Sequence, residues 1–268
     1  MDLDGIDAIG RTAFEVALLR AAEDRRPDRL FADPCARLFL EAAGITEEKP
    51  DFTALMGPQV AVRTRFLDDA LLSGGVRQVV LVASGMDGRP WRLDWPYGTE
   101  VFEIDQAPVL RFKDTAASSL TARCVRRPVV ADLRSDWTGS LRAAGFRPGR
   151  PTAWLTEGLL YALDEAAADG LLATITGLSA AGSTLAFDHV EASAALYAAI
   201  GPDLARLWRP GPVEPARWLT RHGWEPDVSE LADIAAKYGR RIHPAYDPAA
   251  GGTARAWLGQ AVLLGQER

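Results

Sequence analysis

Residues 78–89 read QVVLVASGMDGR, an apolar run followed by a loop that contains two glycines. A short apolar run bounded in this way is typical of a strand buried on both faces of a parallel sheet. Gly85 and Gly88 allow the loop to turn tightly and to approach a ligand closely, and a plain tight turn is the alternative interpretation. Their spacing differs from the dinucleotide fingerprint, so a pyrophosphate cradle is not expected here.

Strand and helix patterns alternate after this run. The strand patterns occupy 100–104, 128–131, 152–155 and 183–187, and the helical patterns between them include 108–119 and 165–179. This alternation predicts a Rossmann-like α/β fold with a mostly parallel sheet and right-handed crossovers. The late elements are a helix over 229–238 and two extended runs, 241–242 and 256–264. These two runs suit an antiparallel pair that closes the C-terminal edge of the sheet.

The chain before the first strand is predicted to be helical. Thr12 and Glu15 form a candidate capping box for a first helix. Asp33-Pro34 suits the N-cap and first position of a second helix, and Gly44 suits its end. A third helix is expected over 60–72, before a pair of glycines.

These elements divide the chain into two predicted parts. We expect a helical cap over 1–75 that packs on a core over 76–268. Within the core, the region around 190–226 matches no regular pattern well, and we expect it to form an insertion that covers the substrate.

Composition excludes several classes of protein. The 268 residues carry a net charge of −6, which argues against a protein that coats nucleic acid. No stretch is long and apolar enough to span a membrane, so a cytoplasmic location is expected. Cys35 and Cys124 have no second cysteine or close histidine beside them, so neither a disulfide nor a metal site is expected. The sequence carries no indication of an oligomeric state.

Acidic residues follow three of the predicted strands, where an open parallel sheet binds its ligands. Asp105 stands twenty positions after Gly85, a distance that suits hydrogen bonds to ribose hydroxyls. Capping of the next helix is the alternative role for Asp105. Asp132 and Leu133 could hold an adenine by its amino group and its face, and Glu157 lines the same cleft. Each acid alone is more often a helix cap or a surface charge, but their placement on successive strand ends favours one shared cleft.

Two arginines precede the first strand on the third predicted helix. An arginine in this place could bind a carboxylate through two nitrogens. We favour this role for Arg63 and a solvated helix face for Arg65.

Several blocks of the sequence resemble one family. They are Thr12-Ala13, 20–23, 30–34, 62–69, 77–81, 85–93, 102–106, 156–161 and 181–183. Together they are similar to the leucine carboxyl methyltransferase family, and more closely to its bacterial branch of S-adenosylmethionine-dependent methyltransferases and polyketide O-methyltransferases. The resemblance covers most of the chain and implies a class I methyltransferase sheet that binds S-adenosylmethionine.

The resemblance also implies roles for particular residues. Arg63 and Arg20 are expected to bind the methionyl carboxylate of the cofactor, and Glu157 to contact its amino end. Asp105 is expected to bind the ribose, while Asp132 and Leu133 hold the adenine. The loop after the first strand, with Ala83 and Gly85, is expected to line the cofactor.

Two positions depart from the family pattern. The family usually has glycine where this chain has Ala83, and threonine where it has Gly88. An alanine methyl group at the first loop position could crowd the cofactor.

The expected reaction is O-methylation of a carboxylate or a phenol in a small metabolite, such as a secondary metabolite. A phenol would benefit from a general base, and His189, after the fifth strand, is the candidate; a structural, hydrogen-bonded histidine is the alternative. The alternatives to this activity are a non-catalytic cofactor-binding protein and methyl esterification of a protein C-terminal carboxylate. A nicotinamide-dependent reductase is disfavoured because no tyrosine has a lysine four residues later.

Overall fold

A computed structural model describes residues 3–46, 49–191, 196–197, 200–209, 211–212 and 214–265. Its strands are β1 Gln78–Val82, β2 Glu100–Asp105, β3 Val125–Val130, β4 Thr152–Thr156, β5 Thr184–Glu191, β6 Trp224–Glu230 and β7 Arg255–Leu263. They form one sheet in the order β3-β2-β1-β4-β5-β7-β6. The pairs among β1 to β5 are parallel, and β7 runs antiparallel to both β5 and β6. This is the predicted Rossmann-like α/β fold with an antiparallel C-terminal edge.

The helices are α1 Ala8–Asp24, α2 Pro34–Ala43, α3 Pro50–Ser73, α4 Arg89–Arg92, α5 Ala107–Ala116, α6 Thr138–Ala143, α7 Glu165–Leu178, α8 Pro202–Ala205, α9 Pro215–Arg221 and α10 Leu231–Lys237. No described helix has both the length and the apolar character needed to cross a membrane.

The two faces of the sheet are covered by different helices because successive strand residues point to opposite sides. On one face Trp154 of β4 packs in a cluster with Ile175 of α7. On the other face Leu155 of β4 packs in a cluster with Leu67 of α3. Glu157 has the parity of Leu155, so its side chain emerges on the face that α3 covers.

The sheet order places a ligand-binding crevice beside β1. The chain moves from β1 outward to β2 and β3, and then returns to place β4 on the other side of β1. An open parallel sheet binds ligands at the carboxyl ends of its strands where the order reverses in this way. The loop after β1, singled out in the sequence, lies at this point.

The N-terminal helices begin partly where the sequence predicts. The second helix is confirmed, because the Asp33 side chain accepts from Ala36 N–H and Gly44 ends α2 at φ +70°. The predicted capping box is wrong: Asp7 caps α1 by accepting from Gly10 N–H. Thr12 lies inside α1, where its hydroxyl donates to the Ile9 carbonyl.

The third helix begins earlier than predicted. It starts at Pro50, not near residue 60, and Pro58 lies inside it. A proline lacks the N–H that a helix interior uses, so Pro58 weakens the helical pattern of the sequence just before residue 60.

The antiparallel edge has a different partner from the one predicted. β7 pairs with β6, and residues 241–242 form no strand. Pro226 makes β6 hard to predict from the sequence, because a proline argues against a central strand. β6 is an edge strand, and a missing N–H is tolerated there. β3, the other edge, also contains a proline, Pro128.

Candidate functional site

A cavity of about 350 Å³ opens at the carboxyl ends of β1, β2 and β4, between these strands and helices α1 and α3. All the residues predicted to bind the cofactor line it: Arg20, Arg63, Ala83, Gly85, Asp105, Asp132, Leu133 and Glu157. His189 is not among its lining residues. That side chain is buried in β5 and stacks on the Trp257 indole, with ring centroids 5.7 Å apart.

The loop after β1 is tied to the end of β2 through Asp105. Gly85 N–H donates to Asp105 Oδ2 at 2.7 Å, and Gln106 N–H donates to Oδ1 at 2.7 Å. Burial raises the pKa of Asp105. Helix α5 has no side-chain cap, so the alternative that Asp105 caps it is wrong. Each Asp105 oxygen keeps a lone pair for a further donor.

The glycine at position 85 is required by a close approach of α1. Gly85 has φ +44°, and a Cβ there would lie 2.8 Å from the Ala13 methyl group. The loop backbone, the start of α1 and Asp105 therefore meet in a space too tight for a larger residue.

Ala83 adopts a backbone conformation that favours glycine. Its φ is +53°, one of two positive values among the described non-glycine residues. This conformation costs an L-residue roughly 1–2 kcal/mol. The alanine at this position, where the family usually has glycine, is therefore expected to strain the backbone.

Ala83→Gly is expected to raise the free energy of unfolding by about 0.5–1 kcal/mol, because relief of the left-handed backbone outweighs the greater freedom of glycine in the unfolded chain. Urea denaturation measures the difference. Ala131→Gly is the matched control, since Ala131 also lines the cavity but has no positive φ, and it should lose stability. Equal losses in both variants would contradict the interpretation of Ala83 as strained.

Gly88, the second departure from the family, is explained by α2. A Cβ at Gly88 would lie 2.6 Å from Asp33 Oδ1 and 2.8 Å from Cys35 Cβ. A threonine cannot fit unless the start of α2 moves away.

Asp132 and Leu133 follow β3 at one end of the cavity. Leu133 packs against the sheet core, while the Asp132 carboxylate is half-exposed and accepts from Arg134 Nη2 at 2.6 Å. Hydrogen bonds from Arg134 lower the pKa of Asp132 to about 2. The two side chains thus present a carboxylate and an apolar surface side by side.

Glu157 receives three guanidinium groups at the other end of the cavity. Arg20 Nη2 and Arg63 Nε donate to its Oε1 at 2.7 and 2.9 Å, and Arg89 Nη1 donates to its Oε2 at 2.6 Å. Burial alone would raise the pKa of Glu157, but Arg20, Arg89 and Arg63 hold it well below its usual value. Glu157 is therefore ionised at neutral pH.

Arg20 and Arg63 each keep one nitrogen for a ligand. In the part of the chain that the structure describes, Arg20 Nη1 and Arg63 Nη2 donate no hydrogen bond, although both residues are buried and line the cavity. An anionic group such as a carboxylate fits these two donors. The ionised Glu157 beside them fits an ammonium group, so the pair suits an amino acid zwitterion.

Arg89 connects Glu157 to further buried acids that the sequence analysis missed. It donates through Nη1 to Asp87 Oδ2 at 2.6 Å and through Nε to Asp68 Oδ1 at 2.7 Å. Arg92 also donates to Asp68, from α4 to α3. The only available signal was a pair of opposite charges, Asp87 and Arg89, directly after the glycine loop.

An apolar surface adjoins this charged end of the cavity. Its side chains come from α3, from the 3₁₀ turn Leu160–Ala162 and from the segment after α8: Phe52, Met56, Val60, Tyr161, Leu207 and Trp208. The rings of Tyr161 and Trp208 lie 4.7 Å apart. The cavity therefore joins a polar half to an apolar, partly aromatic half.

Known proteins resemble the chain in sequence over most of its length. A protein of Rhodococcus jostii is 43% identical, over 89% of this chain and 90% of that protein, and is named as an S-adenosyl-L-methionine-dependent methyltransferase. A protein of Streptomyces avermitilis with the same kind of name is 41% identical, over 86% of this chain and 88% of that protein.

Solved structures share the fold at low identity. A DUF574 family protein of Streptomyces avermitilis matches with a TM-score of 0.57 and 14% identity, covering 92% of this chain and 96% of the other. Magnesium protoporphyrin IX methyltransferase of Synechocystis, with bound SAH, matches with a TM-score of 0.53 and 11% identity, covering 84% and 93%. The family model described as leucine carboxyl methyltransferase matches residues 13–176. The chain belongs to this family and is a methyltransferase that depends on S-adenosylmethionine.

Proposed function

We propose that this enzyme methylates a carboxylate oxygen of a small acid with an apolar body, as part of the metabolism of small molecules. One observation carries the choice of acceptor: none of the described residues that line the cavity is a histidine, lysine or cysteine. A carboxylate is ionised at neutral pH and needs no base, whereas a phenol has a pKa of about 10 and benefits from one.

The properties of Tyr161, Glu157 and His189 support the same choice. Burial raises the pKa of Tyr161 to about 12, so this phenol keeps its proton and does not act as a base at neutral pH. Glu157 is occupied by three guanidinium groups. His189 lies outside the cavity lining, and we assign it no role in the transfer.

We assign the charged end of the cavity to the methionyl part of the cofactor. Arg20 and Arg63 bind its carboxylate through the nitrogens that donate no other hydrogen bond, and Glu157 lies beside its amino group. Arginine suits this role better than lysine, because the planar donors of a guanidinium match the two oxygens of a carboxylate, whereas an ammonium is a point charge.

The adenosyl part is assigned to the opposite end. Asp105 accepts from the ribose hydroxyls with its remaining lone pairs, and Ala83 and Gly85 border the same space. Asp132 accepts from the adenine amino group while Leu133 covers the ring. This requires Asp132 to share its carboxylate with Arg134, which now occupies it.

The chain then contributes position and exclusion of water. When bound, the cofactor supplies an electrophilic methyl group on a sulfonium. The acceptor carboxylate oxygen would take this methyl group, and the electron pair of the broken carbon–sulfur bond would stay on sulfur. Holding oxygen, carbon and sulfur in line can lower such a barrier by roughly 7–11 kcal/mol. The apolar surface that includes Trp208 keeps water from the acceptor carboxylate, whose charge is neutralised as the ester bond forms.

The experiment offers the enzyme methyl-labelled S-adenosylmethionine with pairs of acceptors that share an aromatic ring, one a carboxylic acid and one a phenol. We expect label in products of the acids, and its release as methanol after mild alkali, because esters hydrolyse and ethers do not. Label that transfers chiefly to the phenols and survives alkali would contradict the proposed acceptor.

A further inference from the structure

Asp188 is a buried acid of β5 that stands directly behind the charged end of the cavity. Its side chain is 3% exposed and does not line the cavity. The register pairs Thr156 of β4 with Phe187 of β5, so Asp188 lies level with Glu157 at the ends of neighbouring strands. Ala186 and Asp188 share the face that α3 covers.

Asp188 joins two parts of the site that are far apart in sequence. Its Oδ1 accepts from Gly158 N–H at 2.6 Å, and its Oδ2 accepts from Arg63 Nη1 at 3.1 Å. Arg63 Nε donates in turn to Glu157 Oε1 at 2.9 Å. Because Glu157 and Gly158 are consecutive, these contacts form a closed ring that runs through Arg63, Asp188, Gly158 and Glu157.

This ring determines where the free nitrogen of Arg63 points. A guanidinium is planar, so fixing Nε on Glu157 and Nη1 on Asp188 also fixes the direction of Nη2. We propose that Asp188 is a positioning residue for the cofactor, which aims Arg63 Nη2 at the methionyl carboxylate and holds the Glu157–Gly158 turn in place. This inference rests on the proposed role of Arg63 in cofactor binding.

Removing Asp188 has two opposite effects on the affinity for an anionic ligand, one through charge and one through geometry. Removing the Asp188 charge leaves the Arg63 cation less compensated, which by itself favours an anionic ligand. The same removal leaves Arg63 Nη1 with only its 3.4 Å hydrogen bond to the Tyr161 hydroxyl, and it lets the guanidinium plane rotate away from its binding position. We expect geometry to dominate, because Glu157 already shares its oxygens among three arginines and the remaining contact of Nη1, to the Tyr161 hydroxyl, is long and uncharged.

Asp188→Asn separates the two contacts. In the amide an NH₂ group replaces one carboxylate oxygen, so either Gly158 N–H or Arg63 N–H faces a donor at the position where it now has an acceptor. We expect the Kd for S-adenosylmethionine, measured by titration calorimetry without an acceptor, to rise about tenfold, which corresponds to about 1.4 kcal/mol. Asp188→Ser, which also removes the charge and keeps one small acceptor, gives the same test if the asparagine variant does not fold.

Glu103→Gln is the matched control. Glu103 is also a buried carboxylate on this face of the sheet and pairs with Lys113 and Arg126, but it does not line the cavity. Its variant should lose stability and keep the Kd within twofold. A tenfold rise there as well would show that any buried charge defect weakens binding, and would overturn the specific role of Asp188.

A double-mutant cycle tests whether Asp188 acts through Arg63. In an Arg63→Gln background, Asp188→Asn should change the Kd by less than twofold. A tenfold rise in both backgrounds, or unchanged or tighter binding in Asp188→Asn alone, overturns the inference. If Arg63→Gln alone leaves the Kd unchanged, the proposed role of Arg63 is wrong as well; if it weakens binding while Asp188→Asn does not, only the inference about Asp188 falls.

Discussion

Asp105→Ala is expected to weaken the binding of S-adenosylmethionine about a hundredfold while the fold stays intact. The change removes the ribose acceptor and both anchors of the loop, since Gly85 N–H and Gln106 N–H lose their partner. Hydrogen bonds to a charged group contribute about 1.5–3 kcal/mol each, and a hundredfold change needs about 2.7 kcal/mol. Titration calorimetry measures the affinity, and circular dichroism checks the fold.

Asp136→Ala provides the comparison for this variant. Asp136 lies in the segment between β3 and α6, is exposed, and its carboxylate accepts from the Thr138 N–H and hydroxyl. Its variant should bind the cofactor as the parent does. Unchanged affinity in Asp105→Ala would mean that the ribose lies elsewhere, and the assignment of the strand ends would be wrong.

The parts of the site that could be predicted from sequence are those that follow buried parallel strands. An apolar run predicts a strand such as β1 or β4, and parallel strands bring their carboxyl ends to one edge of the sheet. Asp105 and Glu157 could therefore be placed in one cleft without any knowledge of their partners. Arg20 needed the family resemblance, because nothing local distinguishes it from other helix arginines.

The missed residues depend on contacts between distant segments. From the sequence, His189 is the stronger candidate than its neighbour Asp188, because an imidazole is a common general base near neutral pH. Only the register of β4 with β5 shows that the acid, and not the histidine, adjoins the charged end of the cavity. The contact of Arg89 could not be predicted either, because its hydrogen bond to Glu157 joins residues 68 positions apart in the sequence.

The stability of the fold does not explain why so many charged side chains are buried at this site. A buried ion pair roughly breaks even against apolar residues of similar size, because desolvation offsets the attraction. Arg20, Arg63, Arg89 and Glu157 are nevertheless buried at the strand ends, close to the cavity. Retaining them is consistent with a need for preorganised charge at a zwitterionic ligand, where a flexible exposed cluster would bind less well.

Glu157→Gln should cause the largest loss of stability among single changes at the site. The neutral amide leaves three guanidinium groups with less acceptor capacity, and its NH₂ group faces their donors. Removing one partner from a buried ion pair typically costs about 3–5 kcal/mol. Urea denaturation at pH 7 measures this loss. Glu41→Gln, at an exposed pair with Arg37, should cost less than about 1 kcal/mol.

The pH dependence of that loss identifies its cause. The pKa of folded Glu157 lies well below the unfolded value of about 4.3, because its three arginines outweigh burial. Its ionised form therefore contributes stability that is fully present above pH 4.3 and is lost as the pH falls through the folded pKa. The difference in stability between the parent and Glu157→Gln should be constant from pH 6 to 8 and shrink below about pH 4. A difference that persists unchanged in acid would mean that packing, and not the carboxylate charge, makes Glu157 important.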